Sequence, residues 1–352
     1  MKNFNRLTIS DVRHETTDTV SIAFAVPKNL GDIYNFKAGQ HVILRKKIGG
    51  EEVRRTYSLC SQPGSGELRV AIRGVAGGSF SGFANEALNV GDSLDVGKPI
   101  GGFFYEPAKG KNTYAAFAAG SGITPIISIL KTALAREPES NFTLFYGNQD
   151  RQRTIFLEEL MALKNMYMDR LSLHFFMSKQ TVDGDIFNGR MTRVTIDKLL
   201  ENGLCPSDAK SYFLCGPNEM MDSVIESLDA AGVPETSLKL ERFYAGKKAA
   251  APKELTSKIA ASQVTIIQDG TAQTLDYMKG DGSLLDAALA AGMDMSFACK
   301  GGVCATCRAK VTQGEVEQAL NYGLEKEELE QGFVLTCQSI PKTKKLTLNF
   351  DE

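Results

Sequence analysis

The stretch Cys299-Lys300-Gly301-Gly302-Val303-Cys304-Ala305-Thr306-Cys307, followed after 29 intervening residues by Cys337, decides the reading of the C-terminal part of the chain. A C-x4-C-x2-C run with one distant partner is the spacing with which four thiolates hold a single 2Fe-2S cluster. The residues between the ligands are small, so backbone N–H groups can approach the sulfurs and donate to them. Four cysteines also suit tetrahedral zinc, but zinc modules usually present two short C-x2-C pairs, and here there is a triplet and a lone ligand. Seven cysteines in all, and no secretory leader, argue against a disulfide framework. Cys60 and Cys205 are expected to be packing or surface thiols.

Upstream of the cysteine loop, Leu284 to Ala291 predicts a short helix, capped by Ser283 with Asp286 three residues on and stopped by Gly292. Strands are expected at Val264–Ile267, Arg308–Val311 and Lys345–Phe350, with an acidic helix near 325–330. Together they predict a small β-grasp (α+β) module over 261–352. Before it, residues 246–260 are polar and small, without hydrophobic periodicity, and read as a linker.

The remaining chain divides by its pattern. Residues 1–107 carry short β-type runs separated by Gly and Pro (Val20–Val26, His41–Leu44, Thr56–Leu59, Leu68–Ile72), which predicts an antiparallel β-barrel. Residues 108–245 alternate apolar strands (Tyr114–Ala118, Phe142–Tyr146, Leu171–Phe176, Ser211–Leu214) with helical stretches, which predicts a parallel α/β sheet. A chain of 352 residues is long enough for several such cores.

Charge bounds the partners. Forty Lys and Arg against 42 Asp and Glu leave no basic surplus for nucleic acid or an anionic membrane. No apolar run approaches a membrane span and Met1–Asn5 opens without an apolar leader, so a cytoplasmic protein is expected.

Three further segments carry chemistry. Gly120-Ser121-Gly122-Ile123-Thr124-Pro125 ends the first α/β strand, where two glycines let the backbone close on a pyrophosphate at a helix N-terminus. The third glycine of the dinucleotide fingerprint is absent, so the loop alone scarcely separates phosphate binding from an ordinary tight turn. Arg55-Thr56-Tyr57-Ser58 offers a guanidinium for pyrophosphate, a flat ring for an isoalloxazine and a hydroxyl for a ring nitrogen. Gly77-Gly78-Ser79-Phe80-Ser81 precedes a helix and aims N–H groups at phosphate.

In this order the segments resemble the ferredoxin-NADP reductase superfamily, with a plant-type ferredoxin fused behind the reductase as in the reductase components of multicomponent oxygenases. Cys215-Gly216-Pro217 supplies the last nucleotide-binding element of that family. Lys37-Ala38-Gly39-Gln40 departs from it by carrying Ala where Pro is usual. The resemblance implies that Arg55, Thr56, Tyr57, Ser58, Gly78, Ser79 and Ser81 hold FAD. It also implies that Gly120, Ser121, Gly122, Thr124, Cys215, Gly216 and Pro217 place the nicotinamide, with Ser58 and Cys215 at the point of hydride transfer. Glu241 and Phe243 resemble the segment whose aromatic approaches the flavin, beside which a buried packing role for Phe243 stays open. After the second α/β strand, Arg151 and Arg153 suit a 2'-phosphate while the acid at Asp150 suits a free ribose hydroxyl, and it is the resemblance that implies NADPH, with NADH possible.

The resemblance therefore implies an NAD(P)H-dependent oxidoreductase passing electrons through FAD and a 2Fe-2S cluster held by Cys299, Cys304, Cys307 and Cys337 to a di-iron oxygenase. Lys300, Arg308 and Lys310 would orient that docking together with the acidic helix. A reductase for a Rieske or other aromatic-ring oxygenase is the rival within the class. A colourless zinc-stabilised binding protein is the rival outside it.

Overall fold

The computed structural model describes residues 4–243, 259–324 and 326–352, so most of the expected linker and Glu325 lie outside the described residues. By backbone contacts the chain forms two compact units, Lys2–Glu241 and, apart from Met1, Arg242–Glu352.

The larger unit opens with six strands: β1 (Phe4–Thr16), β2 (Thr19–Ala25), β3 (His41–Ile48), β4 (Glu51–Ser58), β5 (Leu68–Arg73) and β6 (Ser93–Gly97). They hydrogen-bond in the order β4-β3-β6-β1-β2-β5, with every pairing along the order antiparallel. Leu59, just past β4, bridges Val70 of β5, which joins the two ends of the order and closes the barrel. Alternation puts Leu7, Ile9, Ile22, Val42, Leu44, Val70 and Val96 inside, where they form one core with Phe80 of α1 (Ser79–Ala87).

The second sheet comprises β7 (Thr113–Ala119), β8 (Asn141–Asn148), β9 (Leu171–Met177), β10 (Ser211–Gly216) and β11 (Leu238–Arg242), in the order β11-β10-β7-β8-β9. β10, β7, β8 and β9 run parallel. Their apolar runs are buried on both faces, as a parallel sheet covered by helices requires. α2 (Ile123–Arg136) and α3 (Leu157–Met166) belong to one core, while α4 (Arg193–Glu201) and α5 (Asn218–Ala230) close the other. The first of these cores also takes in Ala38, Cys60, Phe103 and Tyr105 from the barrel side, so barrel and nucleotide sheet share an apolar seam.

The smaller unit contains β12 (Ala261–Gln268), β13 (Thr271–Met278), α6 (Leu284–Ala290), β14 (Arg308–Gln313), β15 (Val316–Gln318), α7 (Lys326–Glu330), β16 (Phe333–Leu335), β17 (Ser339–Pro341) and β18 (Lys345–Asn349). Five of its strands form a mixed sheet, β13-β12-β18-β14-β16, in which β12 and β18 are parallel. The Ser283 hydroxyl accepts from the Asp286 amide at 3.1 Å, and the Asp286 carboxylate accepts from the Ser283 amide at 3.3 Å. That reciprocal cap fixes the start of α6, whose Leu284, Leu285, Ala287 and Ala288 pack into the core beside Cys307 and Cys337. Among the described residues no helix is long and apolar enough to cross a membrane.

Candidate functional site

In the barrel, Arg55-Thr56-Tyr57-Ser58 ends β4, paired with β3 and running into the Leu59–Val70 bridge that closes the barrel. Arg55 is exposed and donates to the Arg54 carbonyl at 2.8 Å. Tyr57 packs its ring 5.6 Å from Phe80, and burial pushes its hydroxyl pKa up. Thr56 Oγ1 is buried and has no hydrogen-bond partner, an orphaned polar atom inside the segment expected to hold FAD. At the start of α1, Ser79 is exposed, while the Ser81 hydroxyl is turned inward, accepting from the Val75 amide at 3.1 Å and donating to the Gly78 carbonyl at 3.4 Å. A Cβ on Gly78 would stand 2.4 Å from Ser81 Oγ, so glycine lets this loop fold over the hydroxyl. An orphaned hydroxyl on β4 and, separately, a glycine-led helix N-terminus both suit a phosphorylated flavin.

Across the seam, Gly120-Ser121-Gly122 forms a single tight turn into α2. Gly120 has φ +54°, a conformation that favours glycine, and its carbonyl accepts from the Tyr146 hydroxyl at 3.0 Å. Gly122 has ordinary helical angles; what requires glycine there is space, because a Cβ would stand 2.0 Å from the Cys215 carbonyl oxygen. The Gly120–Gly122 and Cys215–Gly216 turns are therefore packed backbone against backbone. Thr124 donates to the Ser121 carbonyl at 3.0 Å, and Pro217 caps α5. Gly216 is crowded by Met220 and by the backbone of Ala119.

The structure brings Ser58 of the barrel together with Cys215 and Glu241 from the far end of the nucleotide domain. Ser58 Oγ donates to Glu241 Oε2 at 3.2 Å. Cys215 is wholly buried, and its thiol pKa is raised well above normal by burial and then by the Glu241 charge. A thiol so placed is neutral, a non-ionised wall rather than a nucleophile. His41, which carries no sequence signal of its own, joins them with Nδ1 3.5 Å from Glu241 Oε1. Phe243 is 38% exposed, which removes the buried-packing reading.

Arg151 and Arg153 lie exposed on a short turn after β8. Arg153 is engaged locally: its amide donates to Asp150 at 3.0 Å and its guanidinium contacts Gln149. The Arg151 amide donates to Gln180 at 2.9 Å, and its side chain carries no charge partner among the described residues.

In the smaller unit the four cysteines stand as two thiol pairs, Cys299 with Cys304 and Cys307 with Cys337, and among the described residues no three metal-capable side chains converge. The loop is shaped for anionic sulfur. Lys300 and Ala305 take positive φ, and this turn points the amides of Gly301, Val303 and Cys304 at Cys299. The Gly301 amide lies 3.2 Å from Cys299 Sγ, and the thiol pKa is held down to about 5, first by the Cys304 donor and also by these amides. Gln338 donates to Cys337 Sγ at 3.7 Å and to the Lys300 carbonyl at 2.9 Å. Such donors are those that tune a cluster held by thiolates. Cys307 and Cys337 are buried, whereas Cys299 and Cys304 are half-buried, so the outer edge of the site is on their side.

The three basic residues around the loop are each paired within the unit. Lys300 meets Asp286 at 2.8 Å, Lys310 meets Glu352 at 2.6 Å, and Arg308 meets Glu328 of α7.

Three family models cover the chain in succession: an oxidoreductase FAD-binding domain over residues 6–105, an oxidoreductase NAD-binding domain over 117–226, and a 2Fe-2S iron-sulfur cluster binding domain over 266–342. The last sets the zinc reading aside. The chain is 42% identical over 356 residues, all of its length and 99% of the relative's, to a component of the 1,2-phenylacetyl-CoA epoxidase of Escherichia coli K12. It is 34% identical, over 98% of its length and 96% of the relative's, to the ferredoxin reductase component of 3-ketosteroid-9-alpha-monooxygenase from Rhodococcus rhodochrous. Phthalate dioxygenase reductase shares the fold, with a TM-score of 0.60 at 22% identity over 99% of this chain and 98% of that one. With FAD-binding, NAD-binding and 2Fe-2S domains in that order along one chain, it belongs to the family of oxygenase reductase components, oxidoreductases that carry electrons from a nicotinamide nucleotide to an oxygenase.

Proposed function

We propose that the chain draws electrons from NADPH and delivers them, in the cytoplasm, to a di-iron oxygenase that epoxidises the ring of phenylacetyl-CoA. The observation that carries this reading is the 42% identity to an epoxidase component along the full length of both chains. Domain limits follow the sequence pattern: flavin barrel 1–107, nucleotide domain 108–245, linker 246–260 and ferredoxin 261–352.

When bound, FAD accepts a hydride from the reduced nicotinamide and releases electrons singly to a cluster that takes one at a time. The chain's own contribution is placement. Arg55, Ser79 and the start of α1 would hold the flavin phosphates, and Tyr57 would offer its flat ring to the isoalloxazine. Gly120, Ser121, Gly122, Thr124 and the Cys215-Gly216-Pro217 turn hold the nucleotide, with Arg151 and then Arg153 toward a 2'-phosphate. Ser58 and Glu241 fix a polar edge where the two rings meet, and the neutral Cys215 thiol helps to keep that contact dry. Cys299, Cys304, Cys307 and Cys337 hold the cluster.

Reconstitution with the purified epoxidase components tests the reading. NADPH-dependent oxygenation of phenylacetyl-CoA is the expected result. A protein that reduces ferricyanide with NADPH yet supports no such oxygenation has another oxygenase as its acceptor, with a ring-hydroxylating system next in line.

A further inference from the structure

We propose that His41 is a positioning residue for hydride transfer, acting through Glu241. The inference rests on the reading that Glu241 borders the meeting point of flavin and nicotinamide.

His41 opens β3 directly opposite Ser58 of β4, so the two side chains leave neighbouring strands side by side. Both reach the same carboxylate: Ser58 Oγ donates to Oε2 at 3.2 Å, and His41 Nδ1 stands 3.5 Å from Oε1. Oε2 thus holds a hydrogen bond and Oε1 a close polar neighbour, which together restrict rotation about the last torsion of Glu241. The imidazole is 5% exposed, and its Nε2 is buried without a partner. A proton on Nδ1 would face Glu241 and leave a bare lone pair at Nε2; the reverse arrangement would bury an unmade N–H, the costlier of the two.

The fold makes room for this ring at a backbone cost. Gly101 has φ +120°, and a Cβ there would lie 3.0 Å from His41 Nδ1 and 3.1 Å from Cε1. His41 also exchanges both backbone hydrogen bonds with Ile100, at 3.0 and 2.9 Å. A side chain serving only as filler needs neither a glycine cut away around it nor a nitrogen turned to the carboxylate.

The test is anaerobic stopped-flow reduction of the flavin by NADPH in the full-length holoprotein, normalised to flavin content. Glu241→Gln is expected to slow the limiting rate about tenfold or more, and His41→Leu about tenfold, with NADPH half-saturation changed less than about twofold. His41→Asn, which returns a nitrogen near the Nδ1 position, should recover most of that loss. In the Glu241→Gln background His41→Leu should slow the reaction no further, because its partner is already altered. Multiplicative loss in the double variant, or His41→Asn as slow as His41→Leu, overturns the role of His41 while leaving Glu241 in place. An unaffected Glu241→Gln variant overturns the underlying reading instead. If His41→Leu fails to retain flavin, the Asn variant alone and combined with Glu241→Gln gives the same comparison, since a positioning role requires its smaller loss to vanish in the combined variant.

Discussion

Gly122→Ala isolates the contact between the Gly120–Gly122 turn and the Cys215–Gly216 turn. The added Cβ would stand 2.0 Å from the Cys215 carbonyl oxygen, 2.6 Å from its carbon and 3.1 Å from the Gly216 nitrogen. All three are backbone atoms, so no rotamer change relieves the clash. Reaching ordinary contact at 3.4 Å requires the turns to part by about 1.4 Å at that point. Overpacking of this kind costs about 1 to 3 kcal/mol of stability, which a domain of this size survives. Hydride transfer is less tolerant: a misplacement of about 1 Å costs on the order of 100-fold in rate. Gly122 has φ −61°, so Ala adds no backbone strain and the whole effect belongs to the close approach. The assay is stopped-flow flavin reduction by NADPH, with flavin content and thermal midpoint as controls. Gly120→Ala is the contrast. It is strained by φ +54°, but its Cβ meets only the mobile end of Arg73 at 2.9 Å, so it should lose stability more than rate. A Gly122→Ala protein that reduces its flavin at the wild-type rate refutes the argument.

Arg151→Ala should lower NADPH efficiency about tenfold and spare NADH, since losing a charge-assisted bond costs about 1.5 to 3 kcal/mol; equal losses with both nucleotides would exclude a 2'-phosphate contact. Glu137, 3% exposed, accepts from the hydroxyls of Tyr105, Tyr114 and Ser140, the Asn112 amide group and the Ala108 backbone amide. Glu137→Gln sets a second donor against those donors and should remove about 3 kcal/mol, read as a fall of roughly 6 to 12 °C in thermal midpoint; a fall under about 2 °C would mean the cluster of donors repacks freely. His174 is stacked between Phe145 at 5.1 Å and Phe187 at 5.6 Å, and burial, then Lys164, lowers its pKa below the usual 6.5. The unfolded chain therefore takes up this proton first, so the contribution is complete above about pH 6.5 and is lost as pH falls through the lowered value. His174→Phe should flatten the acid side of the urea-midpoint profile between about pH 5 and 7, and an unchanged profile would place the acid sensitivity elsewhere.

What the sequence makes legible follows from the range of the contacts involved. The C-x4-C-x2-C run and the Ser283–Asp286 cap are local, so spacing alone displays them. The α/β strands are readable because a sheet buried on both faces leaves continuous apolar runs. β1 gives no such signal, because only Leu7 and Ile9 of its thirteen residues are buried and no simple alternation survives its irregular pairing with β2. One constraint on Gly122 is invisible in the sequence for a physical reason. A glycine in a strand-to-helix turn reads as room for phosphate, whereas the close approach that requires it comes from Cys215, 93 residues downstream. His41 gives no signal at all, since its partner Glu241 lies two hundred residues away and nothing in a strand-opening histidine points to it. The basic ring at Lys300, Arg308 and Lys310 reads as a docking surface only while its acidic partners are unknown.

Those pairings change what the electron exit can offer an acceptor. An exposed pair in water contributes little free energy, but it does cancel charge locally, so three paired cations no longer form a positive patch. Beyond residue 259 acidic side chains outnumber basic ones, which leaves the module's longer-range field negative. Encounter with an acceptor would then be steered by that negative field, and the short-range fit would fall to the half-buried Cys299–Cys304 edge and the turn around it. The two ends of the proposed electron path share close backbone packing but differ in how far apart in sequence the packed turns lie. The hydride end depends on backbone contacts between turns far apart in sequence, where one methyl group is costly. The exit end rests on a local turn with amides aimed at sulfur, shaped by its positive-φ residues and by Gly323, where an added Cβ would stand 2.8 Å from the Val303 carbonyl oxygen.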